Sequence, residues 1–360
     1  MRFIVFTCLF VSFSLLTGCK HQPKEAGVEG NSTALIYPAV VTEKVPHDTD
    51  DPAIWINPKD STDVLIVGTD KGGDTNEGGL YVFNLEGKIV NRFWPLKRPN
   101  NVDIAYGLKL GKDTVDIAVC TERNTNTIRV FTLPDLTPID AGGIPVFEGE
   151  SMRDPMGIAL FTNREDNKIY AIVGRKTGPQ DGSYLWQYLL EDDGSGKVIG
   201  SLKRKFGFYS GKKEIESIAV DNELGFVYHS DEQHGIHKSY AHPDSSNVEL
   251  ALFGTSGFTE DIEGISIYKL NKSTGYILVS DQQAGKFRVF PREGQPDRPH
   301  EHPEIFVVPL AIAESDGSDV TSQSLPGFPH GLFVAMSDEG TFQYYRWEEM
   351  AGITLQLKNK

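Results

Sequence analysis

The sequence predicts an all-β protein, and more specifically a six-bladed β-propeller. Short runs of β-branched and aromatic residues, separated by Gly, Asp and Asn turns, begin after residue 50 and continue nearly to the end of the chain. These runs fall into six groups with a period of roughly 50 residues, which is typical of propeller blades. No long segment has the 3.6-residue hydrophobic period of an amphipathic helix.

Each group contains three predicted strands. They cover residues 53–56, 64–68 and 79–85; 102–106, 115–121 and 127–133; 157–161, 169–174 and 184–190; 217–220, 226–230 and 235–240; 264–268, 275–280 and 286–291; and 318–321, 331–337 and 341–347. A blade normally has a fourth strand, which we predict in the linkers at residues 91–94, 144–147, 203–208, 249–253 and 305–308. A pair of β-sandwiches is the competing architecture. The propeller is favoured because the third strands resemble one another, as in GLYVFNL, NTIRVFTL and KFRVFPR.

Composition supports a large folded domain with an acidic surface. The chain has 360 residues, of which 39% are hydrophobic, and a formal net charge of −15. The hydrophobic fraction is too high for a disordered chain. The negative charge repels phosphate backbones, so nucleic-acid binding is not an expected function.

The N-terminus predicts a bacterial lipoprotein signal peptide over residues 1–18. A basic start precedes an apolar run over residues 3–16, and the motif LTGC at residues 16–19 resembles a lipoprotein cleavage box. Cys19 would then carry the lipid, although a plain signal peptide with an incidental cysteine is the alternative. Residues 19–40 are predicted as a flexible tether and residues 41–360 as the propeller. We therefore expect an exported, monomeric lipoprotein of the cell envelope, at the outer membrane or cell surface, which contacts membrane only through its anchor.

Charged residues collect where the predicted strands begin and end. The start of the first strand and the end of the second lie at the same end of an antiparallel pair, so in a propeller they meet at one mouth of the central channel. The residues at these places are Asp50, Asp51, Asn100, Asn101, Asp103, Asp154, Glu214, Glu216, Asp261, Glu263, Asp316 and Asp319 on the first strands, and Asp70, Lys71, Glu122, Arg123, Arg175, Lys176, Asp231, Glu232, Asp281, Gln282, Asp338 and Glu339 on the second. Turns favour Asp and Asn in any protein, but paired acids in almost every blade indicate bound cations.

Oxygen ligands in excess favour calcium or another hard divalent ion. A zinc site is not expected, because the chain has no HExxH motif and no Cys/His ligand spacing, and its nine histidines are scattered. Three cationic positions, Lys71, Arg123 and the pair Arg175-Lys176, interrupt the acidic pattern. A mouth that is cationic on one side and acidic on the other suits a metal-dependent reaction on a phosphate ester.

Several segments resemble the β-propeller phytases. They are DDPAIW at 50–55 with NPK at 57–59, GLYV at 79–82 with LEGK at 85–88, NNVDI at 100–104, DIEG at 261–264 and GLFVA at 331–335. The similarity runs in order from about residue 40 to the end of the chain. The resemblance implies a six-bladed propeller with several calcium ions that hydrolyses phytate, myo-inositol hexakisphosphate, through attack of a metal-bound water.

The resemblance also implies roles for individual residues. Calcium ligands correspond to Asp51, Asn100, Asn101, Asp103, Glu216, Asp261 and Glu263, and less closely to Asp316, Asp319 and Asp338. Phosphate-binding cations correspond to Lys71, Arg123 and either Arg175 or Lys176. We expect Glu216 or Asp261 to orient the attacking water, with Lys71 and Arg123 completing the catalytic set.

Two positions depart from the family pattern. Gly72 stands where the family commonly has a second lysine, and Met156 stands where it has a tyrosine. Two other functions therefore remain open at this point. One is a calcium-dependent hydrolase of another class, such as a lactonase, and the other is a non-catalytic propeller that binds phosphorylated ligands.

Overall fold

A computed structural model describes residues 34–358, which form six four-stranded antiparallel sheets. In chain order the strands are β1 Val40–Val41, β2 Thr49–Ile56, β3 Val64–Asp70, β4 Glu77–Phe83, β5 Ile89–Lys97, β6 Pro99–Leu110, β7 Asp113–Glu122, β8 Thr127–Leu133, β9 Ile144–Pro145, β10 Pro155–Thr162, β11 Ile169–Arg175, β12 Leu185–Asp192, β13 Val198–Phe206, β14 Ile218–Asp221, β15 Phe226–Asp231, β16 Gly235–Tyr240, β17 Ala251–Phe253, β18 Ile262–Lys269, β19 Gly275–Asp281, β20 Lys286–Pro291, β21 Phe306–Pro309, β22 Ser318–Thr321, β23 Leu332–Ser337 and β24 Thr341–Arg346. One short helix, α1 Trp347–Ala351, follows β24.

The sheets confirm the predicted six-bladed propeller. Blades one to five are formed by consecutive strands, β2–β5, β6–β9, β10–β13, β14–β17 and β18–β21. Blade six contains β22, β23 and β24, and its outer strand is β1 from the start of the described chain. Val40 pairs with Tyr344 and Val41 with Gln343, so β1 closes the ring.

The hydrophobic core lies between the blades. Six buried clusters each join residues of two neighbouring blades. Ile54, for example, packs toward blade six, while its neighbour Ala53 packs toward blade two. Both faces of a blade are therefore covered, which explains why the strands are continuous apolar runs and lack the alternation of a one-sided sheet. Cys120 is fully buried in the cluster between blades one and two, as expected of a core thiol.

The first strands begin earlier than predicted in blades one, two, three and five. In these blades a β-bulge interrupts the pairing of the first two strands at the same place, for example between Thr49↔Asp70 and Pro52↔Gly68 in blade one. A bulge bends the strand and re-aims the extra side chain. The apolar runs in the sequence therefore predict only the regular part of each first strand, which begins after the bulge.

The described part of the chain also changes one predicted boundary. Ile36 donates to the carbonyl of Pro309 and accepts from Ala311, in a parallel bridge beside Leu310. The last residues of the predicted tether are thus packed on blade five. No helix in residues 34–358 is long and apolar enough to cross a membrane. The predicted signal peptide and Cys19 lie outside the described residues.

Candidate active site

Equivalent residues of the six blades lie at the same point of the channel mouth. The pairing of the first two strands shows which residues occupy equivalent positions in the six blades. They are Pro52, Val102, Ile158, Ile218, Ile265 and Ser318. The residue two positions earlier in each blade forms what we call the inner ring, which consists of Asp50, Asn100, Met156, Glu216, Glu263 and Asp316. Five of these six side chains offer oxygen donors, and the exception is Met156 in blade three.

A second ring follows the ends of the second strands. We call it the outer ring, and it consists of Lys71, Arg123, Lys176, Glu232, Gln282 and Asp338. In each blade its backbone N–H donates to a carbonyl of the loop that enters the blade, with N–O distances between 2.7 Å for Lys71 and 3.4 Å for Gln282. The accepting residues are Asp48, Arg98, Asp154, Glu214, Asp261 and Ala313. The same backbone contact therefore positions all six outer-ring residues.

In each blade the residue that immediately precedes the outer-ring residue in the sequence points away from the mouth, because successive strand residues alternate between the two faces of a sheet. Asp70, for example, accepts from the backbone N–H groups of Asp48 and Gly72 at 3.1 and 3.0 Å. Asp281 likewise accepts from Thr259 N–H at 2.8 Å and from Arg288 Nε at 3.0 Å. These buried side chains hold the loops around the mouth and do not enter it.

Arg175 belongs to this second group, and its position does not support the predicted phosphate-binding role. Its side chain is fully buried, and its guanidinium lies 4.4 Å from the ring centroid of Phe147. Nη1 donates to the carbonyl of Met152 at 2.9 Å. The cation of blade three at the mouth is Lys176, whose half-exposed Nζ lies 3.1 Å from Glu214.

This difference predicts opposite effects for two neighbouring substitutions. Arg175→Ala removes a buried guanidinium with aromatic and backbone partners, and we expect it to lower the free energy of unfolding by about 2–4 kcal/mol. Lys176→Ala should cost less than about 0.5 kcal/mol, as is usual at exposed positions, while raising KM for a phosphate ester. Urea unfolding and initial-rate kinetics of both variants test this, and equal stability of the two would contradict the placement of Arg175.

Lys71 sits among three carboxylates contributed by blades one and six. Its Nζ lies 3.3 Å from Asp48, 3.1 Å from Asp50 and 2.9 Å from Asp316. Burial disfavours the charged lysine, but Asp50 and Asp316 outweigh that effect and raise its pKa. Asp50 also accepts from Asn100 Nδ2 at 2.9 Å. Lys71, Asp50, Asn100 and Asp316 therefore form one connected group at the mouth.

A second group of acids comes from blades four and five. Carboxylate oxygens of Glu214, Glu216 and Glu232 all lie within 4.8 Å of one another. Lys213 Nζ lies 2.8 Å from Glu232 and 2.6 Å from Asp261, which also accepts from Gln283 Nε2 at 2.7 Å. Burial and neighbouring carboxylates raise the pKa values of Glu216 and Glu263 well above the usual range. The mouth thus concentrates negative charge that its own lysines only partly offset.

Several buried oxygens at the mouth have no hydrogen-bond partner within the described residues. They are Oδ1 of Asn100, Oδ1 of Asn101, Oε1 of Glu232 and Oε2 of Glu263, none of which has a lysine or arginine partner either. Burying an unpartnered carboxylate oxygen is costly unless a cation compensates it. A set of carboxylate and amide oxygens without nitrogen or sulfur is the donor set that hard divalent cations prefer. The residues present therefore fit a metal site at the mouth.

Two predicted metal ligands lie deeper than the mouth. Asp51 is the second bulge residue, and its Oδ2 accepts from the backbone of Val102 at 3.1 Å. Asp103 corresponds in register to Ala53, and its carboxylate accepts from Ile104 and Leu160 at 2.7 and 2.6 Å. Both line a cavity of about 140 Å³ inside the channel. The structure thus separates them from Glu216 and Glu263 and places Asp50 at the inner ring.

The remaining predicted residues lie in different environments, some at the mouth and some deeper in the channel. Arg123 is 8% exposed, begins the short turn Arg123–Thr125, and has no hydrogen-bond partner for its Nε among the described residues. Asp338 is exposed at the outer ring of blade six. Asn101 is buried at the register position of Asp51. Asp319 lies with Asp103 in the channel.

The sequence placed Asp50, Glu214 and Glu232 at the mouth but not in the predicted set of ligands, and it did not predict Asp48 or Lys213 there at all. The acidic pairs 50–51, 214–216 and 231–232 were a usable signal, since each pair contributes one residue to a ring. Nothing in the sequence marked Lys213, which reaches two acids from the loop before β14.

The environment of Gly72 explains one departure from the family pattern. Gly72 has φ of 87°, and a Cβ at this position would lie 2.4 Å from the backbone nitrogen of Gly78. A second lysine after Lys71 would therefore require a different path for the loop over residues 72–78. This loop contains the short turn Gly73–Thr75.

Comparisons with known proteins agree with this geometry. The family model described as Phytase matches residues 7–345. A 3-phytase of Bacillus subtilis (strain 168) is 29% identical over 329 residues, covering 84% of this chain and 80% of the relative. A crystal structure of a candidate 6-phosphogluconolactonase from Bacteroides uniformis ATCC 8492 has a TM-score of 0.50 at 13% identity, covering 85% of this chain and 82% of that one, and this likeness concerns the fold alone. The chain belongs to the phytase family, as its sequence motifs predicted, and it carries that family's chemistry on a six-bladed propeller.

Proposed function

We propose that this enzyme releases phosphate from phytate at the channel mouth, with calcium ions held by the mouth carboxylates. The observation that carries the proposal is the meeting of buried carboxylates, at Glu216, Glu232 and Glu263, with the cations Lys71, Arg123 and Lys176. A purely acidic mouth would repel a polyphosphate. The 3-phytase relative supports phytate as the substrate.

Calcium fits the donor set better than other common ions do. The inner and outer rings supply carboxylate and amide oxygens, which calcium takes in numbers of six to eight with flexible geometry. Bound calcium would lower the pKa of a nearby water and offset charge on the phosphoryl oxygens. Residues able to hold it are Asp50, Asn100, Glu216, Glu232, Asp261, Glu263 and Asp316.

Other side chains of the mouth can bind the phosphate groups of the substrate and accept the proton of the attacking water. Arg123 and Lys176 lie in adjacent blades and can hold different phosphate groups of one substrate through charge-assisted hydrogen bonds. Glu216 lies in the inner ring between Met156 and Glu263, where its carboxylate can orient the attacking water and accept its proton. Burial and the nearby Asp50 and Asp316 raise the pKa of this carboxylate.

The direct test is phosphate release from phytate with calcium and with a chelator. We expect turnover in calcium, loss of turnover after chelation, and recovery when calcium is added back. Full hydrolysis in metal-free buffer would overturn the calcium proposal. Phytate binding without turnover at saturating calcium would instead favour the non-catalytic reading, and hydrolysis of a lactone alone would favour the other hydrolase class.

Calcium should stabilise the protein more at pH 8 than at pH 5. Burial raises the pKa of Glu232 to about 7 and of Asp316 to about 6, whereas unfolded carboxyls titrate near pH 4. A raised folded-state pKa means that the metal-free fold loses stability as pH rises from about 4 to 7. Calcium binds the deprotonated groups and reverses that loss. Melting temperatures with and without calcium at both pH values measure the effect, and a larger shift at pH 5 would contradict it.

We also propose that Cys19 anchors a monomeric enzyme to the cell envelope. The LTGC motif and the apolar run before it support this proposal. In a bacterial host, Cys19→Ala should move the protein from the membrane fraction to the soluble fraction. Retention in membranes would contradict a lipid anchor at this residue.

A further inference from the structure

Blade four carries a histidine-rich cluster on the side of the β15–β16 hairpin. Asp231 pairs with Gly235 at the end of the hairpin, and His229 pairs with His237 two residues further along β15 and β16. His234 lies in the turn between the strands. Ligand atoms of Asp231, His234 and His237, which we call the histidine cluster, all lie within 4.8 Å of one another.

Contacts with residues outside the histidine cluster fix the orientation of two of its members, His237 and Asp231. Glu249 pairs with Nδ1 of His237, which leaves Nε2 facing Asp231 Oδ2 at 3.2 Å. Asp231 is held in turn by the backbone N–H and the hydroxyl of Ser210, at 2.6 and 2.8 Å. A carboxylate on the far nitrogen of an imidazole is a characteristic support of metal-binding histidines, because it fixes the tautomer and the ring direction.

The cluster contains more nitrogen donors than its hydrogen bonds use. The His234 ring, 5.7 Å from that of His237, has no side-chain hydrogen bond within the described residues. His229 stacks on His237 with ring centroids 4.6 Å apart, and its Nδ1 is buried without a partner in the described chain. A positively charged His237 between Asp231 and Glu249 would explain, without a metal, why this histidine lies between two carboxylates. It would not explain why His234 also lies close to Asp231 and His237.

We propose that the histidine cluster binds one divalent ion of the zinc class, through Asp231, His234 and His237. Imidazole nitrogens with one carboxylate suit zinc and related transition ions, whereas calcium prefers oxygen donors. Beside His234 lies a cavity of about 380 Å³, lined also by Gln233, Thr255 and Phe258, from which water can supply the fourth ligand. The site is separate from the calcium mouth and independent of the proposed reaction.

The position of the site gives it a structural role. Asp231 immediately precedes Glu232, the outer-ring residue of blade four. An ion joining Asp231 to both histidines would tie the two strands of this hairpin together behind the mouth. Neither an HExxH motif nor a Cys/His ligand spacing marks this site in the sequence. The pattern here is Asp-x-x-His-x-x-His folded around a turn at residues 231–237.

Zinc titration of the full-length chain tests the proposal. The protein is stripped with a chelator, saturated with calcium so that the mouth is occupied, and titrated with zinc against a chromophoric indicator. We expect one zinc per chain under these conditions. His234→Ala should weaken binding at least about tenfold, and Glu249→Gln by about 10–100-fold, which is the usual effect of losing a supporting contact.

His330→Ala is the matched control, because His330 lies just before β23 in blade six and should leave zinc affinity unchanged. His234→Ala removes no side-chain hydrogen bond of the described chain, so its fold and its phosphate release in calcium should match the wild type. Zinc affinity that is unaffected by His234→Ala, or zinc binding that disappears in saturating calcium, would overturn the proposal. Neither result depends on whether phytate is the substrate.

Discussion

Glu216→Gln should lower kcat/KM for phytate by about 10²–10⁴-fold, the range found when a general base is removed. Glu216 is buried in the inner ring, and its carboxylate lies within 4.8 Å of those of Glu214 and Glu232. Glutamine keeps the shape of the side chain but can neither accept the proton of water nor contribute a negative charge to a bound cation. The measurement is initial phosphate release at several substrate concentrations in saturating calcium.

Although Glu216→Gln should lower activity, it should raise the stability of the fold when no metal is bound. Burial, together with the nearby Asp50 and Asp316, disfavours the Glu216 carboxylate and raises its pKa, so a neutral amide at this position removes an unfavourable buried charge. We expect a higher melting temperature for Glu216→Gln than for the wild type in a chelator at pH 8, and a smaller stabilisation by calcium. Glu165→Gln, an exposed change on blade three, is the control. Unchanged kinetics with Glu216→Gln would remove this residue from the mechanism.

Arg123→Ala should lower kcat/KM for phytate by about 10²–10³-fold, comparable to the loss of one preorganised donor at a developing charge. Arg123 follows β7 at the outer ring and is 8% exposed, and its Nε has no partner within the described residues. Its guanidinium therefore has donors available for a phosphate group. We expect little change in the free energy of unfolding, because the side chain makes no hydrogen bond or ion pair within residues 34–358.

Arg123→Lys separates charge from geometry. Lysine keeps the positive charge but cannot make the two parallel hydrogen bonds of a guanidinium to phosphate, so activity should recover only in part. Arg164→Ala is the matched control, since Arg164 is exposed beside a cavity at the opposite end of the channel. Full activity of Arg123→Ala, or an equal loss in Arg164→Ala, would show that this cation does not bind substrate.

The blade architecture could be predicted because each blade repeats the same local pattern. Its strands are covered on both faces, so they appear as apolar runs with a constant period, and the turns between them are rich in Gly, Asp and Asn. The closing strand could not be found in this way. β1 has only two residues, and its partner β24 is about 300 positions away in the numbering, so no local pattern marks it.

At two of the predicted positions the structure places the neighbouring residue at the mouth. A shift of one residue moves a strand side chain to the other face. The bulges in β2 and β10 introduce such shifts, and the sequence does not reveal them. For this reason Asp51 was chosen where Asp50 occupies the inner ring, and Arg175 was included where Lys176 reaches the mouth. The pairing of acids was readable from the sequence, and the direction of each side chain was not.

The pairing of β1 with β24 determines when the ring can close during protein synthesis. Val40 and Val41 leave the ribosome before any blade exists, and their partners Tyr344 and Gln343 leave among the last residues. Blade six therefore lacks its outer strand until β24 has been synthesised and can pair with β1. Blades one to five consist of consecutive strands, so each of them can form before the ring closes.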